Sequence, residues 1–135
     1  MPINIKRQAD EFRRKKITLL RTIGNNGVTM FKVNNFEAQG FIDSGLSRWK
    51  PKQKPDGRKT LRGKTLHLRN LIFYEVSRNG IEFGSNARSD DGYNYPKAHN
   101  EGLDGMPKRQ FMGESAALNK INGKSIGKFI KNIFK

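Results

Sequence analysis

The sequence predicts an α+β fold: a long N-terminal helix and a C-terminal helix packed on one face of a small antiparallel β-sheet. Three observations predict it. Apolar residues recur at helical intervals across residues 3–38, two apolar runs meet at Asn79-Gly80, and a second helical stripe follows Ser115.

In the first of these, Ile5, Phe12, Ile17, Leu20, Ile23, Phe31 and Phe36 alternate with charged residues. This is the pattern of one long amphipathic helix, or of two with a break. Asn25-Asn26-Gly27 is the weak point, because Asn and Gly lower helix stability there. Gly24 and Gly27 have a second reading, as sites where another element approaches the helix closely. The helix should end by Gly40.

Residues 41–64 have no period. Pro51, Pro55, Asp56-Gly57 and Gly63 are turn signals, and Lys50, Lys52, Lys54, Arg58, Lys59, Arg62 and Lys64 supply charge. The stretch is too polar and like-charged to offset its own ordering entropy by burial, so it reads as a basic flexible loop. Trp49 sits within it, either as an anchor packed back on the core or as a stacking or partner-binding ring.

The hairpin is the clearest local structure. Asn79-Gly80 between apolar runs predicts a type I′ turn. A two-residue loop at that dipeptide pairs Val76 with Phe83 and Tyr74 with Ser85. Ile72, Tyr74, Val76, Ile81 and Phe83 then share one face, and Glu75, Ser77 and Glu82 the other, with Phe73 the exception on the polar side. The last helix, from Ser115 as N-cap to about residue 134, carries Leu118, Ile121, Ile126, Phe129, Ile130 and Ile133, weakened by Gly123 and Gly127.

The 135 residues allow a single domain with one modest core. An apolar fraction of 34% and a mean hydropathy of −0.80 are low for a compact monomer, so partners are expected to complete the burial. The absence of cysteine excludes a disulfide framework and a cysteine-ligated zinc site. No apolar run is long enough to span a membrane and no signal-peptide core is present, so a cytoplasmic protein is expected. The net charge of +15 favours polyanions, and its concentration in residues 6–21, 48–69 and 120–135 strengthens that reading.

Between the hairpin and the last helix lies a stretch with its own grammar. Tyr95, Ala98 and His99 have the spacing of a short helical turn, which Gly102 stops in a left-handed conformation. Residues 103–107 form a loop, and residues 108–112 a short strand in which Arg109 and Phe111 share a side. This stretch resembles the signature of the phage virion morphogenesis proteins, the Mu-like tail completion group. That signature has a Tyr-Ala-x-x-His-x-x-Gly element and a Pro-x-Arg-Pro-Phe-Leu-Gly element before a C-terminal helix. Here they read Tyr95-Pro96-Lys97-Ala98-His99-Asn100-Glu101-Gly102 and Pro107-Lys108-Arg109-Gln110-Phe111-Met112-Gly113. Pro96-Lys97 is inserted, and Gln110 replaces the usual proline. Phe41 followed by Trp49 and a Lys/Pro-rich run matches a further family region.

Other constellations are thin. Gly123-Lys124-Ser125 looks like the end of a phosphate-binding loop, but Leu118 stands where the first glycine is needed. The cationic C-terminal helix has membrane-surface character, yet its stripe is better used on the sheet. His99 and Glu101 with Asp90, Asp91 and Asp104 lack the convergence a metal nuclease needs, and His99 reads as structural. No catalytic site, metal or cofactor is expected.

The resemblance implies a structural virion assembly protein, acting in tail completion or head–tail joining as a subunit of a homo-oligomeric ring. Its implied partners are phage neck, connector or tail proteins and packaged DNA, with no membrane, in the bacterial host cytoplasm during assembly and in the virion. The expected contact residues are Trp49, Lys50, Lys52, Lys54, Arg58, Lys59, Arg62, Tyr95, His99, Arg109 and Phe111. The alternative is a basic nucleic-acid-binding module using the 48–69 loop and Trp49.

Overall fold

Asn4 opens the first helix by accepting a hydrogen bond from the Arg7 N–H, at 3.0 Å. The computed structural model describes residues 4–61, 67–78 and 80–134. Helix α1 (Ile5–Val28) passes without a break into a π-helical turn (Thr29–Asn34) and a last α-helical turn, α2 (Asn35–Ala38). The weak point at 25–27 therefore does not interrupt the rod; its irregularity lies just beyond. The reason is packing. In a π turn, residues five apart stack, and the Asn35 N–H donates to the Met30 carbonyl. Met30 and Phe31 on one turn and Asn35 and Phe36 on the next are thereby all buried. Gln39 ends the rod in a left-handed conformation, φ 55°.

Residues 41–64, expected as a structureless loop, begin otherwise. Strands β1 (Gly40–Ile42) and β2 (Leu46–Arg48) form an antiparallel hairpin with Phe41 opposite Ser47. Three-residue strands are too short to leave a period in the sequence. Residues 49–61 have no regular structure but are tied down. The Trp49 N–H donates to the Gln39 carbonyl at 2.8 Å, and the Gln39 amide accepts from the Thr60 N–H at 2.7 Å and donates to its carbonyl at 3.2 Å.

A short helix α3 (His67–Asn70) leads into the second hairpin, β3 (Ile72–Ser77) and β4 (Gly80–Ser85). Its register corrects the expected one by two residues. Val76 faces Ile81, Tyr74 faces Phe83, and Ser77 faces Gly80, so Arg78 and Asn79 form the connection; Asn79 itself lies outside the described residues. A two-residue shift preserves the faces. It also places Phe73 opposite Gly84, where the ring lies over the bare backbone, 3.1 Å from where a β-carbon would stand. The apolar face meets α1 at Gly24 and Gly27, whose missing side chains make room for the Tyr74 and Phe83 rings. The close-approach reading of those glycines is the one the fold uses.

Helix α4 (Tyr95–Glu101) ends at Gly102, φ 71°. Helix α5 (Ala116–Ile133) is capped by Ser115, whose hydroxyl accepts from the Leu118 N–H. It runs antiparallel to α1: Asn26 Nδ2 donates to Asn122 Oδ1 at 3.1 Å, and Phe129 meets Phe12 edge-on at 5.6 Å. Gly123 and Gly127 lie on its open side and do not end it. The core gathers where these pieces meet. Phe36 stacks edge-on against Trp49 at 5.2 Å and lies 5.9 Å from Phe111, with Met30, Phe41, Leu68 and Leu118 in the same cluster.

Candidate functional site

Residues 108–112, expected as a short strand, form none: 108–111 have no regular structure and Met112 lies in a bend. Polar side chains from elsewhere satisfy their backbone instead. The Arg109 N–H donates to the His99 carbonyl at 2.8 Å. Asn100 Oδ1 accepts from both the Phe111 and Met112 N–H groups, at 2.9 and 3.0 Å. The Trp49 indole donates to the Gln110 carbonyl at 2.7 Å, and Asn35 Nδ2 to the Phe111 carbonyl at 2.9 Å. A buried backbone must find partners for these groups, and here an indole and two amides do what a neighbouring strand would otherwise do.

Asn35 is the junction. It is fully buried, and its second amide atom, Oδ1, accepts from the Ile42 N–H at 3.0 Å. One side chain thus ties the end of the N-terminal rod to β1 and to the 108–112 segment. The Ser115 hydroxyl donates to the Ile42 carbonyl at 2.6 Å, and Asp43 Oδ1 accepts from the Ala116 N–H at 2.7 Å, where a carboxylate also suits the N-terminal end of α5.

The expected contact residues divide into three groups. Trp49, Arg109 and Phe111 are inside, at 8%, 8% and 1% exposure. Arg109 Nε and Nη2 donate to the Lys50 and Pro51 carbonyls at 2.9 and 3.1 Å. The expectation of a direct contact surface is therefore corrected for these three: they hold the 49–51 chain and the 108–112 segment to the core. For Trp49 this is the anchor reading. Tyr95 and His99 are half-buried and meet edge-on at 6.5 Å. Burial first, and the neighbouring Arg109 charge second, push the His99 pKa below its ordinary value. Its Nδ1 is buried without a partner, so the ring is not the hydrogen-bonded structural residue the spacing implied.

The described loop cations are the exposed group, except Lys52, which is half-buried. Lys52 and Arg58 both meet Asp56, at 2.8 and 3.0 Å, and Lys59 meets Glu37 at 3.5 Å. Those partners hold the Asp56 carboxyl below its usual range, the Lys52 hydrogen bond foremost. Lys50 and Lys54 are exposed and form no ion pair among the described residues, and Arg62 lies outside them. The candidate site is therefore the outer surface around the 108–113 strap, with the Lys50–Lys54 region beside it. A cleft of about 380 Å³ opens there, between β4 and α4, with Phe73, Arg88, Lys97 and Met112 on its walls. Among the described residues no three of His, Asp and Glu converge as metal ligands, and no helix is long and apolar enough to cross a membrane.

Sequence reasoning missed Asn35, Asn100 and Gln39. Each is an amide inside or beside a helix, where solvent exposure is the ordinary reading; the one available signal was an Asn next to Phe36 on the apolar side of the rod. No protein-family model matches this chain, and no curated protein or solved structure is similar to it.

Proposed function

We propose that this chain is a structural virion assembly protein of a tailed phage or prophage, acting in tail completion or head–tail joining as a ring subunit. Its partners are neck, connector or tail proteins, met in the bacterial host cytoplasm and kept in the virion. One observation carries the reading. The stretch that resembles the tail completion signature is also where Asn35, Trp49 and Asn100 converge to hold the 108–112 strap, while Arg109 ties Lys50 to it. A segment held by side chains from three other parts of the chain is a rigid platform, and rigid platforms suit docking. The signature residues act in this reading by shaping the platform, while Lys50, Lys54 and Lys97 on its rim meet the neighbour.

The experiment is the mass of the purified protein with and without a neighbouring neck or tail protein, together with complementation of a phage lacking this chain. A stoichiometric joint complex is the expected result. A chain that never joins such a protein, and whose loss leaves particle assembly unchanged, would exclude the assembly role.

The exposed cations of the loop and of α5 favour a second reading, a basic module that binds nucleic acid. Its mark is affinity for free duplex that falls steeply with salt.

A further inference from the structure

Glu75 and Glu82 face each other directly across the β3–β4 hairpin, on the side turned away from α1. Both are exposed, and neither forms an ion pair among the described residues. Like charges directly opposite on a sheet repel. In a chain of net charge +15 two carboxylates without a cation among the described residues stand out, because basic residues fill 48–69 and 120–135. The same face carries Phe73, whose ring rests on Gly84 and offers an apolar centre beside the two carboxylates.

Helix α5 presents the complement. Leu118, Phe129 and Ile133 turn inward, with Asn122 and Ser125 at the Asn26 contact. Lys120, Lys124, Lys128 and Lys131 then follow one another at intervals of four, four and three residues on the opposite, exposed side. The helix has no acidic residue. Ile121, three residues before Lys124 and seven before Lys128, lies beside them at 41% exposure. A phosphate backbone has no use for that isoleucine, and a membrane would need the broad apolar face that α1 already covers.

We propose that the outer face of the β3–β4 hairpin of one copy docks on the lysine and isoleucine face of α5 of another. Glu75 and Glu82 meet Lys124 and Lys128, and Phe73 meets Ile121. The two faces cannot meet within one copy, because α1 lies between them, holding the hairpin through Gly24 and Gly27 and α5 through Phe12 and Asn26. Such a contact joins two different patches, so each copy keeps one of each free, and the assembly grows head to tail until it closes. The contact deepens the assembly reading, and its closure as a ring rests on that reading; the pairing of the two faces rests on the charges alone.

The test is sedimentation of the full chain over a range of concentrations, at low salt and at about 0.5 M salt, where exposed charge contacts are screened. The wild type should associate at low salt and dissociate at high salt. E75K/E82K and K124E/K128E, both on exposed positions, should each raise the concentration for half-association by about tenfold or more. The chain carrying all four substitutions should regain association, which a merely structural defect would not allow. A wild type that stays monomeric at low salt, double variants that associate normally, or a fourfold variant that stays apart overturns the contact. So does K124E/K128E losing affinity for a DNA duplex or an anionic vesicle with no change in mass. A monomeric wild type that still restores particles sinks this contact and leaves the assembly role standing. A chain that associates through these faces but joins no neck or tail protein does the reverse.

Discussion

Gly24 and Tyr74 compete for one volume: a β-carbon on the glycine would stand 2.7 Å from Cγ of the tyrosine ring and nearer still to its edge. One turn along the helix, Gly27 stands in the same relation to Phe83, the residue that faces Tyr74 across the hairpin. Two aromatic rings paired on a sheet are thus seated in two notches on a helix. This seating aligns the hairpin with the N-terminal rod.

Gly24→Ala should therefore cost stability although it raises helix propensity. Overpacking of this kind costs about 1–3 kcal/mol, more than the roughly 1 kcal/mol gained from replacing a helical glycine. Gly123→Ala, on the open side of α5, meets nothing within 4 Å and should stabilise. Chemical denaturation of both variants checks this. Equal shifts in the same direction would show that the rings are not seated in the notches.

The strap depends on Asn35. Asn35→Ala leaves the Ile42 N–H and the Phe111 carbonyl buried without partners, a loss of about 2–4 kcal/mol. Asn35→Asp keeps the acceptor for Ile42 but sets a carboxylate against the Phe111 carbonyl. Burial raises that carboxyl's folded pKa above its unfolded value near 4, so the variant should be most stable at acid pH and lose stability as pH rises. A denaturation series between about pH 4 and 8 would reveal an opposite slope if the side chain were solvated.

Arg109→Ala should not be silent, because the guanidinium supplies two hydrogen bonds to the 50–51 backbone from a position 8% exposed. A loss of about 1–3 kcal/mol is expected, with faster trypsin cleavage after Lys52. Arg109→Lys should recover only part, since one ammonium cannot reproduce the planar fork. An unchanged digestion pattern would remove Arg109 from the latch.

His99 supplies a pH dependence. Its pKa is pushed down in the fold, so the neutral ring is the stable one, and its contribution is complete above the unfolded value near 6.5. Stability should fall as pH drops below that value through the folded pKa. His99→Gln should flatten this part of the profile. A wild-type profile level from pH 7 to 5 would contradict the burial of the ring.

The local elements were legible because their signals lie within a few residues of each other. The periodic helices, the Ser115 cap, the Gly102 stop and the two-faced hairpin each follow from spacing or from one residue's backbone preference. The hairpin faces survived even a register error, since a shift of two residues keeps every side chain on its side. What the tertiary structure decided is how distant pieces satisfy one another. The register follows Phe73 and Gly84, the π turn follows the need to bury Met30, Phe31, Asn35 and Phe36 together, and the strap at 108–112 is held by Asn35, Trp49 and Asn100. An amide in a helix reads the same whether it meets water or a buried carbonyl 76 residues away. Only the packed fold distinguishes the two, because it alone removes the water.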